Sequence, residues 1–158
     1  MSGAVFEDFV DIARCLREEQ CAFVIVGAHA LAAHGVARAT GDIDIFVRPD
    51  PDNAERLMRA LQRFGAPVAA HGVSARDFVV PGTVYQLGLP PRRIDLLTQI
   101  SGVTFEEAVQ DQVVGSLGGE RVPCIGFESL LKNKRATGRT KDVADAEALE
   151  ELRARRAR

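Results

Sequence analysis

The chain has 158 residues, of which 46% are hydrophobic and 27% charged, and its formal net charge is −2. This length and composition fit one globular domain, which we place over residues 1–158. The small net charge excludes a chain-wide electrostatic footprint for nucleic acid, and no apolar run approaches the roughly 20 residues of a membrane-spanning helix. We therefore expect a cytoplasmic protein without a membrane partner.

The first half of the chain alternates helical patterns with short apolar runs. Apolar residues three and four apart predict helices, continuous apolar runs of four to six residues predict buried strands, and glycine or proline ends each element. In chain order we predict a helix over residues 4–19, a strand over 21–26, a short helix ended by Gly35, a strand over 42–47 and a helix from Asp52 or Asn53 to about Phe64.

The second half predicts further strands and ends in two helices. The predicted elements are two or three short strands within 67–89, a strand over 93–98, a helix capped by Thr104, a hairpin of 113–117 with 121–125, and helices over 127–136 and 141–154. This order predicts an α+β fold in which a mixed sheet is flanked by helices and the chain ends in a helical pair.

Two aspartates stand one residue apart in the strand predicted over 42–47. Because side chains alternate along a strand, Asp42 and Asp44 share one face while the apolar residues between them face the core. Asp95 is an isolated acid in the strand predicted over 93–98, and pairing of the two strands would bring three carboxylates together. Such oxygen ligands suit Mg²⁺ or Mn²⁺. The alternative is that all three are solvent-facing acids on exposed strands.

The residues around these acids form a longer pattern. VIVGAHALAAHGVARATGDIDIFV places a strand, a glycine, a small residue and a helix before DhDhh on the next strand, where h is hydrophobic. This order resembles the nucleotidyltransferase superfamily of DNA polymerase beta. It is similar in detail to small bacterial minimal nucleotidyltransferases, including members of toxin–antitoxin and abortive-infection systems, which carry RxTxDhDhh. LLKNKRATGRTKDVADAEAL is similar to that family's later helix, in which a lysine is followed by GRxKDxxD.

The resemblance implies a nucleotidyltransferase-like fold and roles for several residues. Asp42 and Asp44 would bind both metal ions, and Asp95 would complete the catalytic metal site and help to deprotonate the acceptor hydroxyl. Gly27 and Ala28 would cradle the nucleotide phosphates. Ala28 departs from the family pattern, which has glycine or serine there, so a hydroxyl contact to phosphate would be missing.

Basic residues near the two motifs are candidates for nucleotide binding. Arg38 and Thr40 match the RxT of the pattern, and Arg38 would pair either with phosphate or with an acid that orients the loop. Lys134 and Arg139 would face the triphosphate, and the alternative for a helix lysine is a solvated position. Two acids of the last helix are expected to cap it or to pair with basic neighbours rather than to bind metal: Asp142 and Asp145.

The reaction implied is transfer of a nucleoside monophosphate from an NTP, such as ATP, to an acceptor hydroxyl with release of pyrophosphate. Mg²⁺ or Mn²⁺ would be the cofactor. The acceptor stays open between RNA, a protein and a small molecule. One alternative is a catalytically weak module of the same fold that binds a nucleotide or a partner protein, for example in a toxin–antitoxin pair. Another is a partner-bound structural subunit without nucleotide chemistry.

Overall fold

The computed structural model describes residues 3–38 and 41–158, with side chains from residue 7 onward. Its helices are α1 (Gly3–Glu18), α2 (Gly27–Ala33), α3 (Pro51–Phe64), α4 (Phe105–Gln110), α5 (Phe127–Thr137) and α6 (Thr140–Arg156). Its strands are β1 (Phe23–Val26), β2 (Ile43–Val47), β3 (Val84–Leu87), β4 (Ile94–Leu97), β5 (Val113–Leu117) and β6 (Glu120–Cys124). In the described ranges no helix is long and apolar enough to cross a membrane.

The strands form one mixed sheet in the order β3-β4-β2-β1-β6-β5. β2 is antiparallel to β1 and parallel to β4, and β6 is parallel to β1. The hairpin β5–β6 and the pair β3–β4 are antiparallel and form the two edges. The α+β fold, the mixed sheet flanked by helices and the C-terminal helical pair predicted from the sequence are thus confirmed.

The segment 67–89 contains one strand, β3, where the sequence predicted two or three. Turns and a 3₁₀ helix over Ala75–Val79 take up much of the remainder. Ser74 and Asp77 form a capping box at the start of this helix, in which the Ser74 N–H donates to Asp77 Oδ2 over 2.9 Å. These local side-chain bonds satisfy backbone groups that a strand would need for pairing, and the helix buries Phe78 completely.

Each face of the sheet carries its own apolar core. Residues of α1 and α3 pack on one face, against Ile43, Ile45 and Val47 of β2. Residues of α2, α4, α5 and α6 pack on the other face, which includes Phe46. Since side chains alternate along β2, Asp44 lies on the same face as Phe46. Asp44 therefore lies at the edge of the core that contains Phe46, next to the C-terminal helices.

Candidate active site

Three acids meet where β2 and β4 begin. Asp44 of β2 lies directly opposite Asp95 of β4 in the parallel pair, and Asp42 precedes β2 by one residue. On its other side Asp44 pairs with Val26, the last residue of β1. Neighbouring strands are about 4.8 Å apart, so the side chains of such directly opposed residues are neighbours on one face. Asp95 is buried, with 6% of its surface exposed, and is therefore not a solvent-facing strand acid.

The surroundings of Asp44 disfavour the ionised form of its carboxyl group. Burial and, after it, the charge of Asp95 raise the pKa of Asp44 from 3.8 to about 6; a hydrogen bond with Asp95 and the charge of Asp42 act in the same direction. A buried carboxyl group among other carboxylates ionises more readily when a positive charge lies nearby.

Arg93, which was not among the residues predicted from the sequence, supplies part of that charge. Its guanidinium donates from Nε to Asp95 Oδ1 over 2.9 Å and from Nη2 to Asp95 Oδ2 over 3.1 Å, and Nη2 lies 3.4 Å from Asp42 Oδ2. Its backbone N–H also donates to Asp42 Oδ1, over 3.3 Å. The available signal was its position two residues before Asp95 at the start of a strand, which places both side chains on one face.

The first residue of α2 approaches Asp44 closely. Gly27 has φ +72°, and a Cβ at this position would lie 2.5 Å from Asp44 Oδ2. Only glycine fits this approach, because a side chain would clash with the carboxylate and would strain the backbone. Gly27, which with Ala28 was predicted to cradle phosphate, thus lies beside the Asp44 carboxylate.

A cavity of about 450 Å³ connects the acids with the C-terminal helices. It is lined by Gly27, Ala28, Arg38, Asp42, Asp44, Arg93, Asp95, Lys134, Arg139, Lys141, Asp142 and Asp145. This lining includes each described residue that the sequence analysis assigned to catalysis or to nucleotide binding. Thr40, the remaining candidate, lies outside the described residues.

A second cavity of about 420 Å³ shares five lining residues with the first: Gly27, Asp44, Lys134, Arg139 and Asp142. It also has uncharged polar lining on the loop after β4 and on α5, including Gln99 and Asn133. Groups of this kind bind neutral polar ligand atoms through hydrogen bonds. Both cavities therefore reach Asp44, and the second adds uncharged polar groups to the charged side chains that the two share.

The basic candidates are held by two buried acids of α6. Arg38 Nε donates to Asp145 Oδ1 over 2.7 Å. Of the two partners considered for Arg38, phosphate or an acid, this structure therefore shows the acid. Lys134 Nζ lies 3.1 Å from Asp142 Oδ1 and 3.2 Å from Asp145 Oδ2, and Lys134 is buried rather than solvated. Arg139 donates to Asp142 over 2.8 Å. Three cations share two carboxylates, which leaves this wall of the cavity with an excess of positive charge.

The donor chemistry of the acid cluster fits a hard divalent cation, because the side-chain donors are carboxylate oxygens and Asp44 lacks sufficient counter-charge. In the part of the chain that the structure describes, however, no group of three or more His, Cys, Asp or Glu side chains is arranged to hold a metal ion. In the arrangement that the structure shows, the guanidinium of Arg93 contacts the carboxylates of both Asp42 and Asp95.

Comparison with known proteins identifies the relatives of the chain. Residues 5–157 match the model of the family described as "nucleotidyl transferase of unknown function (DUF2204)". Among curated protein sequences none matches. The solution structure of the antibiotic-resistance factor ANT(2'')-Ia has 17% sequence identity and a TM-score of 0.58, with coverage of 99% of this chain and 95% of the other. At this identity the likeness shows a shared fold, and the nucleotidyltransferase resemblance seen in the sequence is confirmed.

Proposed function

The chain belongs to this family of nucleotidyl transferases, and from that premise we propose that it is a metal-dependent enzyme that moves a nucleoside monophosphate from an NTP to an acceptor hydroxyl. The observation that carries the proposal is the meeting of Asp42, Asp44 and Asp95 beside a cation-lined cavity. A structural protein would gain little from placing these carboxylates together, because their repulsion and their partial burial both cost free energy.

The acid cluster would hold Mg²⁺ or Mn²⁺ through Asp42, Asp44 and Asp95. When bound, such an ion neutralises the phosphate charge and polarises the α-phosphate toward attack. The cations Arg38, Lys134 and Arg139 are close enough to the cavity to attract a triphosphate, and they are held in place by Asp142 and Asp145.

The chemistry then requires a proton acceptor next to the reacting hydroxyl. In the proposed step, the acceptor O–H donates its proton to Asp95 as its oxygen forms a bond to the α-phosphorus. The bond between that phosphorus and the β-phosphate oxygen breaks, and pyrophosphate leaves with the electron pair. The backbone at Gly27 and Ala28 would hold the triphosphate in line.

The acceptor is proposed at the level of a hydroxyl-bearing molecule. ANT(2'')-Ia is described as an antibiotic-resistance factor, which supports a small-molecule acceptor as one candidate. RNA and protein acceptors are the others. A nucleotide-binding or partner-binding module without turnover, as in a toxin–antitoxin pair, is the second candidate function. Ala28 favours it, because the small residue lacks a hydroxyl for phosphate.

The test is transfer of radiolabel from each α-³²P-NTP in cell extract with Mg²⁺ or Mn²⁺. Wild-type protein should label one class of acceptor and release pyrophosphate, and Asp42→Asn/Asp44→Asn should lose about a thousandfold in rate or more. Glu55→Gln is the matched control, since Glu55 is an exposed acid on α3. Equal labelling by the double variant would refute the proposal. Binding of MgATP in calorimetry without any label transfer would select the binding module.

A further inference from the structure

Arg93 makes a bidentate contact with one member of the acid cluster and reaches a second. Both carboxylate oxygens of Asp95 accept from its guanidinium, and Asp42 Oδ2 lies 3.4 Å from Nη2. The Arg93 side chain is 30% exposed, and it lines the cavity that the acids share with α5 and α6. The guanidinium therefore lies at the surface of the cavity, next to the acids, and is not enclosed in a core.

The same oxygens are those that a divalent cation would need. A carboxylate oxygen that accepts a charge-assisted hydrogen bond from arginine offers less electron density and less room to a metal ion. Both Asp95 oxygens are engaged in this way. The positive charge of the guanidinium also repels an approaching cation at short range. Arginine and metal ion are thus competitors for one set of ligands.

We propose that Arg93 is a displaceable internal counter-ion, which holds the acid cluster together in the ligand-free chain and is released from Asp42 and Asp95 when a divalent cation binds. This inference rests on the proposed function, because it concerns the same metal site. It makes Arg93 a positioning residue whose removal has two opposite effects. The ligand-free chain loses stability, while the affinity for the bare cation rises.

The experiment is a titration of Mn²⁺ without nucleotide, with free Mn²⁺ measured by electron paramagnetic resonance. Arg93→Gln should bind Mn²⁺ about tenfold more tightly than wild type, since a neighbouring charge commonly changes the affinity of a carboxylate for a cation by this factor or more. Arg92→Gln is the matched control. It removes the same charge from the adjacent exposed position, and its affinity should equal that of the wild type.

A second measurement separates the inference from a folding defect. In chelator, the midpoint of thermal unfolding of Arg93→Gln should be lower than that of the wild type. Saturating Mn²⁺ should raise the midpoint of the variant by more than it raises the midpoint of the wild type. If Arg93→Gln does not fold in chelator, Arg93→Lys replaces it and should show a smaller rise in affinity. Unchanged or weaker Mn²⁺ binding by the folded variant overturns this inference alone. Absence of Mn²⁺ binding by the wild type and the variants overturns the proposed function as well.

Discussion

The backbone at Gly27 passes close to the carboxylate of Asp44. Gly27→Ala should lower transfer by about a hundredfold, because the added Cβ would lie 2.5 Å from Asp44 Oδ2 and would displace it. Gly65→Ala is the control: Gly65 also has a positive φ, of +92°, but a Cβ there meets nothing within 4 Å. Each variant should lose about 1 kcal/mol of stability from backbone strain. Equal activity of the two variants would contradict the argument.

The ionisation of Asp44 predicts a pH dependence of stability in the ligand-free chain. Burial, followed by repulsion from Asp95, raises its pKa to about 6, so between its ordinary value of 3.8 and about 6 the folded state binds more protons than the unfolded state. The contribution of Asp44 to the free energy of unfolding therefore falls as the pH rises through this window. Below the window the carboxyl is protonated in both states and the penalty disappears.

Asp44→Asn removes this penalty together with the proposed metal ligand. In chelator at pH 7.5, thermal unfolding of the variant should occur about 3 °C above that of the wild type, and the difference should shrink at pH 4.5. The same variant should lose transfer activity. A variant that is less stable than the wild type at pH 7.5 would show that the charge of Asp44 does not destabilise the fold.

At the scale of elements, the contact between α5 and α6 depends on a buried lysine. Lys134 neutralises Asp142 and Asp145, which are 4% and 0% exposed. Lys134→Met should cost about 3–5 kcal/mol in urea unfolding, because it removes the buried cation that both buried carboxylates share and leaves each of them paired with a more exposed arginine. Arg139→Met should cost less than about 1 kcal/mol, because the Arg139 side chain is 76% exposed. Similar losses for the two variants would contradict this ranking.

The elements that carry the site were predictable because their patterns are local. Buried strands show as apolar runs, and the alternation in DIDIF is enough to assign Asp42 and Asp44 to one face of a strand. The segment 67–89 was not predictable in this way, because its apolar residues belong to a 3₁₀ helix and turns fixed by side-chain bonds. The contact of Arg93 with Asp42 was not predictable, because it requires that β2 lies beside β4. The partners of Lys134 and Arg38 likewise follow from packing of distant segments.

For the whole molecule, the cavity joins the sheet to the C-terminal helices, so a ligand there should stabilise both. With Mn²⁺ and a non-hydrolysable NTP analogue, amide hydrogen exchange should slow by about tenfold in β2, α2 and α5, as expected when a ligand binds the folded state alone. Helix α3 packs on the opposite face of the sheet and should change least. Protection confined to α3 or absent throughout would contradict the placement of the ligand.

The proposed function depends on one arrangement, in which Asp42, Asp44 and Asp95 hold a divalent cation beside the triphosphate. A crystal structure with Mn²⁺ and a non-hydrolysable NTP analogue, with Mn²⁺ located by its anomalous scattering, tests it directly. We expect an anomalous peak in contact with carboxylate oxygens of these residues, and the guanidinium of Arg93 away from Asp42 and Asp95. Bound nucleotide with no Mn²⁺ at the three acids, and with Arg93 still in its present contacts, would contradict it.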